Sequence, residues 1–150
     1  MDHVHCYGSP LGRIILKSDG NPITRLYFGD EHVSDEKFPV FDQADRWLDM
    51  YFSGYEPLEM PELCLHTTPF RKAVYDILLE IPYGSTVTYK EIAERLGNVS
   101  AQAVGNALAA NPILLMIPCH RVIGSDGTLK GYAGGLERKE KLLDLERRKI

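Results

Sequence analysis

The start of the chain carries short apolar runs separated by turns. Residues 14–16 and 23–28 form the apolar runs, and turn-forming residues occupy 8–12 and 19–22. Short apolar runs bounded by Gly, Pro, Asn and Asp are typical of strands joined by tight turns. We therefore predict a three-stranded antiparallel meander within residues 3–28.

A helical period replaces the strand pattern at Phe41. Apolar residues then recur at i, i+3, i+7, i+10 and i+11 up to Phe52, and the pattern ends near Ser53-Gly54. Residues 55–66 contain two prolines and are the best linker candidate. We accordingly predict an N-terminal α/β domain at 1–62 and a second domain at 63–150.

Two helices after the linker have clear start signals. Thr68 can cap a helix that has Pro69 at its first position, and an apolar stripe follows as far as Ile81. The segment Thr88-Tyr89-Lys90-Glu91 is a capping box, which predicts a short helix.

A further helix follows that short one closely. Gly97-Asn98 ends the short helix, and Ser100 can cap the next, over 101–110. Two helices joined by a tight turn containing glycine are typical of a helix-turn-helix. The pattern predicts an α+β fold: a small three-stranded antiparallel sheet with one helix, then a mainly helical domain holding the helix-turn-helix.

The second of these helices contains no lysine or arginine and is rich in alanine and glycine. The minor groove of DNA is about 6 Å wide and would require a helix with such small side chains. The major groove is about 12 Å wide and would not require them. Close packing of the helix against its neighbours would select the same small residues, and periodicity does not separate the two explanations.

Composition and charge narrow the function classes. Hydrophobic residues make up 44% of the 150 and charged residues 25%, as in ordinary globular proteins. We expect no membrane span, because no apolar run approaches about 20 residues, and no signal peptide. Three cysteines cannot all pair, which favours a reducing, intracellular compartment. The net charge is −4, but residues 85–150 alone carry +3. The sequence is therefore compatible with a basic surface that binds a polyanion.

The candidate chemistry lies after the apolar run 113–117, in Pro118-Cys119-His120-Arg121-Val122. A thiol flanked by histidine and arginine can have a lowered pKa; a buried structural cysteine is the alternative. A turn at 124–127, a glycine-rich loop at 131–135 and a last helix from Leu136 to about Lys149 follow. Glu146 on that helix could orient a histidine.

This cysteine motif resembles the active-site signature of the O6-alkylguanine-DNA alkyltransferases, or methylated-DNA–protein-cysteine methyltransferases. Matching segments occur in the same order through the C-terminal part, whereas the N-terminal match is limited to Ser9-Pro10-Leu11-Gly12 and a helix. The C-terminal segments are Thr68-Pro69-Phe70, Ile81-Pro82-Tyr83-Gly84, Thr88-Tyr89, Ala103-Val104-Gly105, Asn111-Pro112, the cysteine motif, and Gly131-Tyr132-Ala133-Gly134-Gly135-Leu136 with Lys139.

The resemblance implies a DNA-repair reaction that consumes the protein. O6-alkylguanine is flipped out of duplex DNA, and a cysteine keeps the alkyl group as a thioether. The implied roles are Cys119 as nucleophile, His120 as its base through a water, Glu146 as the group that orients His120, Asn111 as a brace for the turn, and Tyr89 as a hydroxyl for the guanine. The residues implied in DNA or lesion binding are Tyr89, Gln102, Ala103, Gly105, Arg121, Val122, Ser125, Tyr132 and Ala133.

Gln102 departs from the family pattern, which usually has an arginine there to fill the gap left by the flipped base. Glutamine can fill space and form hydrogen bonds, but it has no cationic plane to stack. The departure bears on the efficiency of flipping and leaves the chemistry unchanged.

Three other readings compete with the suicidal alkyltransferase. An alkyltransferase-like protein that only binds the lesion commonly has another residue at the position of Cys119. A helix-turn-helix regulator has no use for the cysteine signature, and a cysteine hydrolase would turn over. We identify no metal site, although His3, His5 and Cys6 lie close together, and we expect no cofactor. The expected partner is double-stranded DNA carrying O6-alkylguanine, bound in the minor groove by a cytoplasmic monomer (nucleoid-associated, or nuclear in a eukaryote).

Overall fold

The N-terminal part forms the predicted antiparallel meander. In the computed structural model, which describes residues 2–34 and 37–147, strands β1 (His3–Ser9), β2 (Gly12–Ser18) and β3 (Ile23–Phe28) pair in that order. The central strand β2 is the most buried, because its residues 14–16 are inaccessible to solvent. Helix α1 (Pro39–Phe52) follows and buries the predicted stripe from Phe41 to Tyr51, while Phe52 is half-buried.

The segment predicted as a linker packs along the sheet. Ile23 N donates to the Glu62 carbonyl at 2.8 Å, and Cys64 N donates to the Ile23 carbonyl at 2.9 Å. The predicted linker 55–66 is therefore held against β3 by backbone hydrogen bonds at residues 62 and 64. The proposed domain boundary between residues 62 and 63 stays a prediction.

The C-terminal part reaches the same strand. Leu26 N donates to the Pro112 carbonyl at 2.9 Å, and Leu114 N donates to the Leu26 carbonyl at 3.0 Å. The buried apolar side chains of both parts form one continuous cluster. Strand β3 thus joins the two halves of the chain.

The helices begin where the sequence predicts. Thr68 accepts from Arg71 N ahead of α2 (Pro69–Leu79), the capping box opens α3 (Tyr89–Arg95), and Ser100 accepts from Ala103 N ahead of α4 (Ala101–Ala109). The turn between α3 and α4 uses the positive φ angles of Gly97 and Asn98, which glycine and asparagine adopt most readily. The α+β fold with a helix-turn-helix is confirmed.

Short elements complete the C-terminal half. Strands β4 (Val87–Thr88) and β5 (Val122–Ile123) pair in parallel, which the sequence did not indicate. The last helix, α5, spans Leu136–Arg147, and the predicted end near Lys149 lies outside the described residues. No helix within 2–34 and 37–147 is long and apolar enough to cross a membrane.

Candidate active site

A cavity of about 900 Å³ opens between the helix-turn-helix and the loops that follow the cysteine motif. Its wall contains seven of the residues expected in chemistry or lesion binding: Tyr89, Gln102, Gly105, Cys119, Ser125, Tyr132 and Ala133. The other lining residues are Lys90, Ala101, Leu108, Ala109, Gly124, Asp126, Lys130 and Gly131. The lining does not include Ala103, Val122 or Arg121, so the structure does not bring these three to the cavity wall.

Cys119 is buried at this wall, and only 4% of its surface is exposed. Asn111 braces the chain in front of it, because Nδ2 donates to the Ile117 carbonyl at 2.9 Å and Oδ1 accepts from Ile113 N at 3.0 Å. These two bonds close the buried segment 113–117 into a compact turn. The bracing geometry expected of Asn111 is therefore present.

Burial raises the pKa of the Cys119 thiol to about 11, against the lowering influence of the Asn111 side chain and the Lys139 charge. The expectation of a lowered pKa is thus wrong for this state of the protein. It relied on the neighbouring His120 and Arg121, whose side chains instead contact a carboxylate. At pH 7 only about one thiol in ten thousand would be ionised, so a base is needed to remove the proton.

His120 and Glu146 form a buried pair, as the predicted relay requires. His120 Nε2 lies 2.5 Å from Glu146 Oε2, and both side chains are at most 1% exposed. The other ring nitrogen, Nδ1, is buried and has no hydrogen-bond partner within the described part of the chain. Nδ1 is therefore the nitrogen available to a proton from outside the pair.

Arg121 points into the protein rather than toward a ligand. Its Nε donates to Glu146 Oε1 at 2.7 Å, and its Nη1 donates to the Ile81 carbonyl at 2.8 Å. The guanidinium also stands over the Tyr83 ring, 5.7 Å from the centroid. Without DNA, the buried Glu146 therefore holds the Arg121 side chain inside, and DNA binding by Arg121 stays a prediction.

The charges of this cluster fix its protonation state. Burial alone would raise the pKa of Glu146, but hydrogen bonds and positive charge from His120 and Arg121 outweigh it and lower the pKa to about 2. Burial lowers the pKa of His120, against the attraction of Glu146. At neutral pH the carboxylate is ionised and the imidazole neutral, so His120 Nε2 carries the hydrogen and Nδ1 is an acceptor.

Lys139, which belongs to the last of the matching segments, lies buried beside the cavity. It is inaccessible to solvent, its Nζ donates to the Lys130 carbonyl at 2.8 Å, and it lies 5.9 Å from the centroid of the Tyr89 ring. It cannot contact DNA from there. The sequence does contain a signal for the burial of Lys139, because Leu142 and Leu143 follow it at i+3 and i+4 on the buried face of α5.

Arg138 ties the glycine-rich loop to the N-terminal half. Its Nε donates to the Leu11 carbonyl at 2.8 Å, its Nη1 donates to the Gly134 carbonyl at 3.1 Å, and its guanidinium stands over Phe28, 4.4 Å from the ring centroid. The loop that carries Tyr132 is thus anchored to the turn between β1 and β2.

The histidines and cysteine of β1 have other partners. His5 Nε2 lies 2.9 Å from Asp45 Oδ1, and Cys6 accepts from Arg13 Nε. His3 packs its ring against Phe38. No group of three or more potential metal ligands occurs in residues 2–34 and 37–147.

Comparison with known families gives two matches. Residues 3–61 match the ribonuclease-like domain of 6-O-methylguanine DNA methyltransferase, and residues 69–148 match its DNA binding domain. The methylated-DNA–protein-cysteine methyltransferase of Mycobacterium leprae is 41% identical over 157 residues, which cover 100% of this chain and 95% of the relative.

Two solved structures share the whole fold. The O6-methylguanine methyltransferase of Mycobacterium tuberculosis superposes with a TM-score of 0.89 at 38% identity, covering 100% of this chain and 95% of its own. Mycobacterium tuberculosis OGT in complex with DNA superposes with a TM-score of 0.87 at 40% identity, covering 97% and 92%.

Proposed function

The chain belongs to the 6-O-methylguanine DNA methyltransferase family, and we propose that Cys119 is the residue that accepts the alkyl group. The protein repairs DNA by transferring an alkyl group to one of its own cysteines. Cys119 is the candidate because its thiol lines the large cavity and follows the braced turn, whereas Cys6 and Cys64 lie outside that cavity. This placement is the observation that carries the proposal.

The proton path runs through His120. The alkyl carbon forms a bond to sulfur and breaks its bond to O6, whose electron pair stays on the guanine. The thiol proton leaves through a bridging water to Nδ1 of His120, the acceptor that the ionised Glu146 leaves free. Because burial keeps the resting thiol protonated, proton removal must accompany the attack. Transfer is irreversible, because a thioether has no easy hydrolytic exit.

Tyr89 supplies a proton to the departing guanine. Burial first, and the neighbouring Cys119 second, raise the pKa of Tyr89, so its hydroxyl stays protonated at neutral pH. It lines the same cavity as Cys119. One proton therefore moves from the thiol to His120, and another moves from the Tyr89 hydroxyl to the guanine. His120 then returns its proton through water to the Tyr89 oxygen, so that the net result is transfer of the thiol proton to the guanine.

The lesion is held by backbone and aromatic groups around the cavity. The Ala133 N–H and Tyr132 sit over O6 and the alkyl group, and the main-chain carbonyl of Cys119 accepts from the guanine amino group. Burial raises the pKa of Tyr132 well above its usual value, so it stays neutral beside the thiol. Ser125 and Gly105 contribute to the same wall.

Helix α4 enters the minor groove of duplex DNA as part of a monomer. Its residues Ala101, Gln102 and Ala109 line the cavity, and Gln102 is exposed at the first turn, where it can occupy the space left by a flipped base. The exposed side of the helix carries no cation, so phosphate contacts must come from its surroundings. We place the protein with its DNA substrate: in the cytoplasm of a prokaryote, or in the nucleus of a eukaryote.

Intact mass spectrometry tests the acceptor. After incubation with a duplex containing O6-methylguanine, the protein should gain one methylene, about 14 Da, mapped to Cys119. Cys119→Ala should gain nothing yet bind the duplex within severalfold of the wild type. Cys6→Ala and Cys64→Ala are matched controls that should react fully. Transfer by Cys119→Ala would refute the assignment, and binding by the wild type without any mass gain would favour a lesion-binding protein.

A further inference from the structure

Tyr51 brings a hydroxyl from the N-terminal half into the buried cluster that holds His120. Tyr51 lies near the end of α1 and is inaccessible to solvent. Its hydroxyl donates to Glu146 Oε2 at 2.5 Å, and its oxygen lies 3.4 Å from His120 Nε2. The cysteine motif itself provides no such hydroxyl.

The Glu146 carboxylate is surrounded by donors. Oε2 accepts from Tyr51 and His120, while Oε1 accepts from Arg121 Nε at 2.7 Å and Gly84 N at 3.3 Å. Burial first, and the negative charge of Glu146 second, raise the pKa of Tyr51 well above its usual value. The hydroxyl therefore remains a neutral donor at neutral pH.

We infer that Tyr51 is a positioning residue of the alkyl-transfer site, whose hydroxyl shares Glu146 Oε2 with His120 and so limits how strongly the carboxylate can hold a proton on the imidazole. This inference rests on the proposed function, in which His120 takes the proton of Cys119. Tyr51 acts on the base through Glu146 and touches neither the sulfur nor the guanine.

The expected consequence follows from hydrogen-bond competition. A carboxylate oxygen that loses one donor interacts more strongly with the other. Without the Tyr51 hydroxyl, Glu146 would stabilise protonated His120 better, and His120 would stay protonated to higher pH. The rings of Tyr51 and Tyr132 and the charges of Arg121, Lys139 and Glu146 face His120. Of these groups, only Tyr51 competes with His120 for Oε2.

Tyr83 offers a matched control. Its ring centroid lies 6.0 Å from that of Tyr51, and its hydroxyl is buried but has no hydrogen-bond partner within the described residues. Tyr51→Phe and Tyr83→Phe each remove one buried hydroxyl from neighbouring rings. Only the first removes a donor to Glu146.

The experiment measures second-order alkylation rates against pH for both variants, on a duplex containing O6-methylguanine and on free O6-benzylguanine. Tyr51→Phe should move the acid limb upward by about one pH unit, because a hydrogen bond to a charged group is worth on the order of one pKa unit. On the acid limb it should lower the rates with both substrates by the same factor. Tyr83→Phe should keep the wild-type profile.

Two results would overturn the inference. The first is a pH–rate profile of Tyr51→Phe that coincides with those of the wild type and Tyr83→Phe, with Cys119 alkylated in all three proteins. Alkylation of another residue in the wild type would instead overturn the proposed function. The second needs no variant: proton NMR of the wild type should show a slowly exchanging Tyr51 hydroxyl with a nuclear Overhauser contact to the His120 ring. A hydroxyl exchanging as fast as that of an exposed tyrosine would refute its donation to Glu146.

Discussion

Replacing Arg121 by methionine should destabilise the protein by about 3–5 kcal/mol, because it leaves a buried carboxylate without its cation. The side chain of Glu146 is 1% exposed and that of Arg121 10%, so water can replace little of the lost interaction. The change also leaves the Ile81 carbonyl without the donor that now lies 2.8 Å away. Methionine keeps most of the apolar stem, so the loss reports the charge rather than a cavity.

Urea unfolding at pH 7 measures this loss, and a second substitution checks its cause. Combining Arg121→Met with Glu146→Gln removes both charges and should recover at least half of the lost stability. A loss below about 1 kcal/mol for Arg121→Met, or no recovery in the double variant, would contradict the buried-pair explanation.

DNA binding by Arg121→Met separates the buried role from a phosphate contact. An arginine that binds phosphate contributes about 0.9 to the slope of log K against log salt concentration. Because the guanidinium contacts Glu146 and the Ile81 carbonyl, we expect an unchanged slope. A slope reduced by about one unit would mean that Arg121 turns outward when DNA binds.

Three further predictions concern the lesion, acid and the loop. Gln102→Arg should speed repair of O6-methylguanine in duplex DNA, since a planar cation stacks in the gap, and leave free O6-benzylguanine unchanged; equal changes on both would place residue 102 outside the gap. The pKa of Glu146 is about 2 in the folded protein, against an ordinary value of 4.5. Its contribution to the free energy of unfolding should therefore be fully present above pH 5 and fall by about 3 kcal/mol toward pH 2. Urea titrations at several pH values measure this loss, and an equal loss in Glu146→Gln would assign it to other groups. Arg138→Leu should slow transfer to both substrates by the same factor while duplex affinity stays constant, because the loop anchored at Gly134 carries Tyr132; a change confined to duplex affinity would refute the anchoring role.

Local signals in the sequence sufficed for the helix starts and for the choice of Cys119 as the proposed nucleophile. Caps such as Thr68 and Ser100 act within three residues, so their bonds follow from the sequence alone. The cysteine motif is likewise contiguous. The direction of the Arg121 side chain is not local, because its partner Glu146 lies 25 residues away. Flanking positions therefore predicted a cation beside the thiol, whereas the fold turns that cation away.

Two site residues looked like ordinary members of apolar stripes. Tyr51 continues the core face of α1, and only its contact 95 residues along the chain with Glu146 reveals a polar role. Lys139 sits on the buried face of α5 and reaches the cavity region through the Lys130 carbonyl. A helical period shows which face is inside, but it does not show which buried polar group another segment will meet.

The separation of Tyr51, His120 and Glu146 along the chain also sets the order in which a newly synthesised molecule acquires the groups needed for alkyl transfer. During translation the helix-turn-helix and Cys119 are synthesised before Glu146, which lies in the last described turn of α5. A chain cut by a stop codon between residues 136 and 145 would contain the cysteine, both helices of the helix-turn-helix and the cavity loops, yet its His120 would have no carboxylate. Where such a fragment folds, it would occupy damaged sites without clearing them and shield them from intact copies.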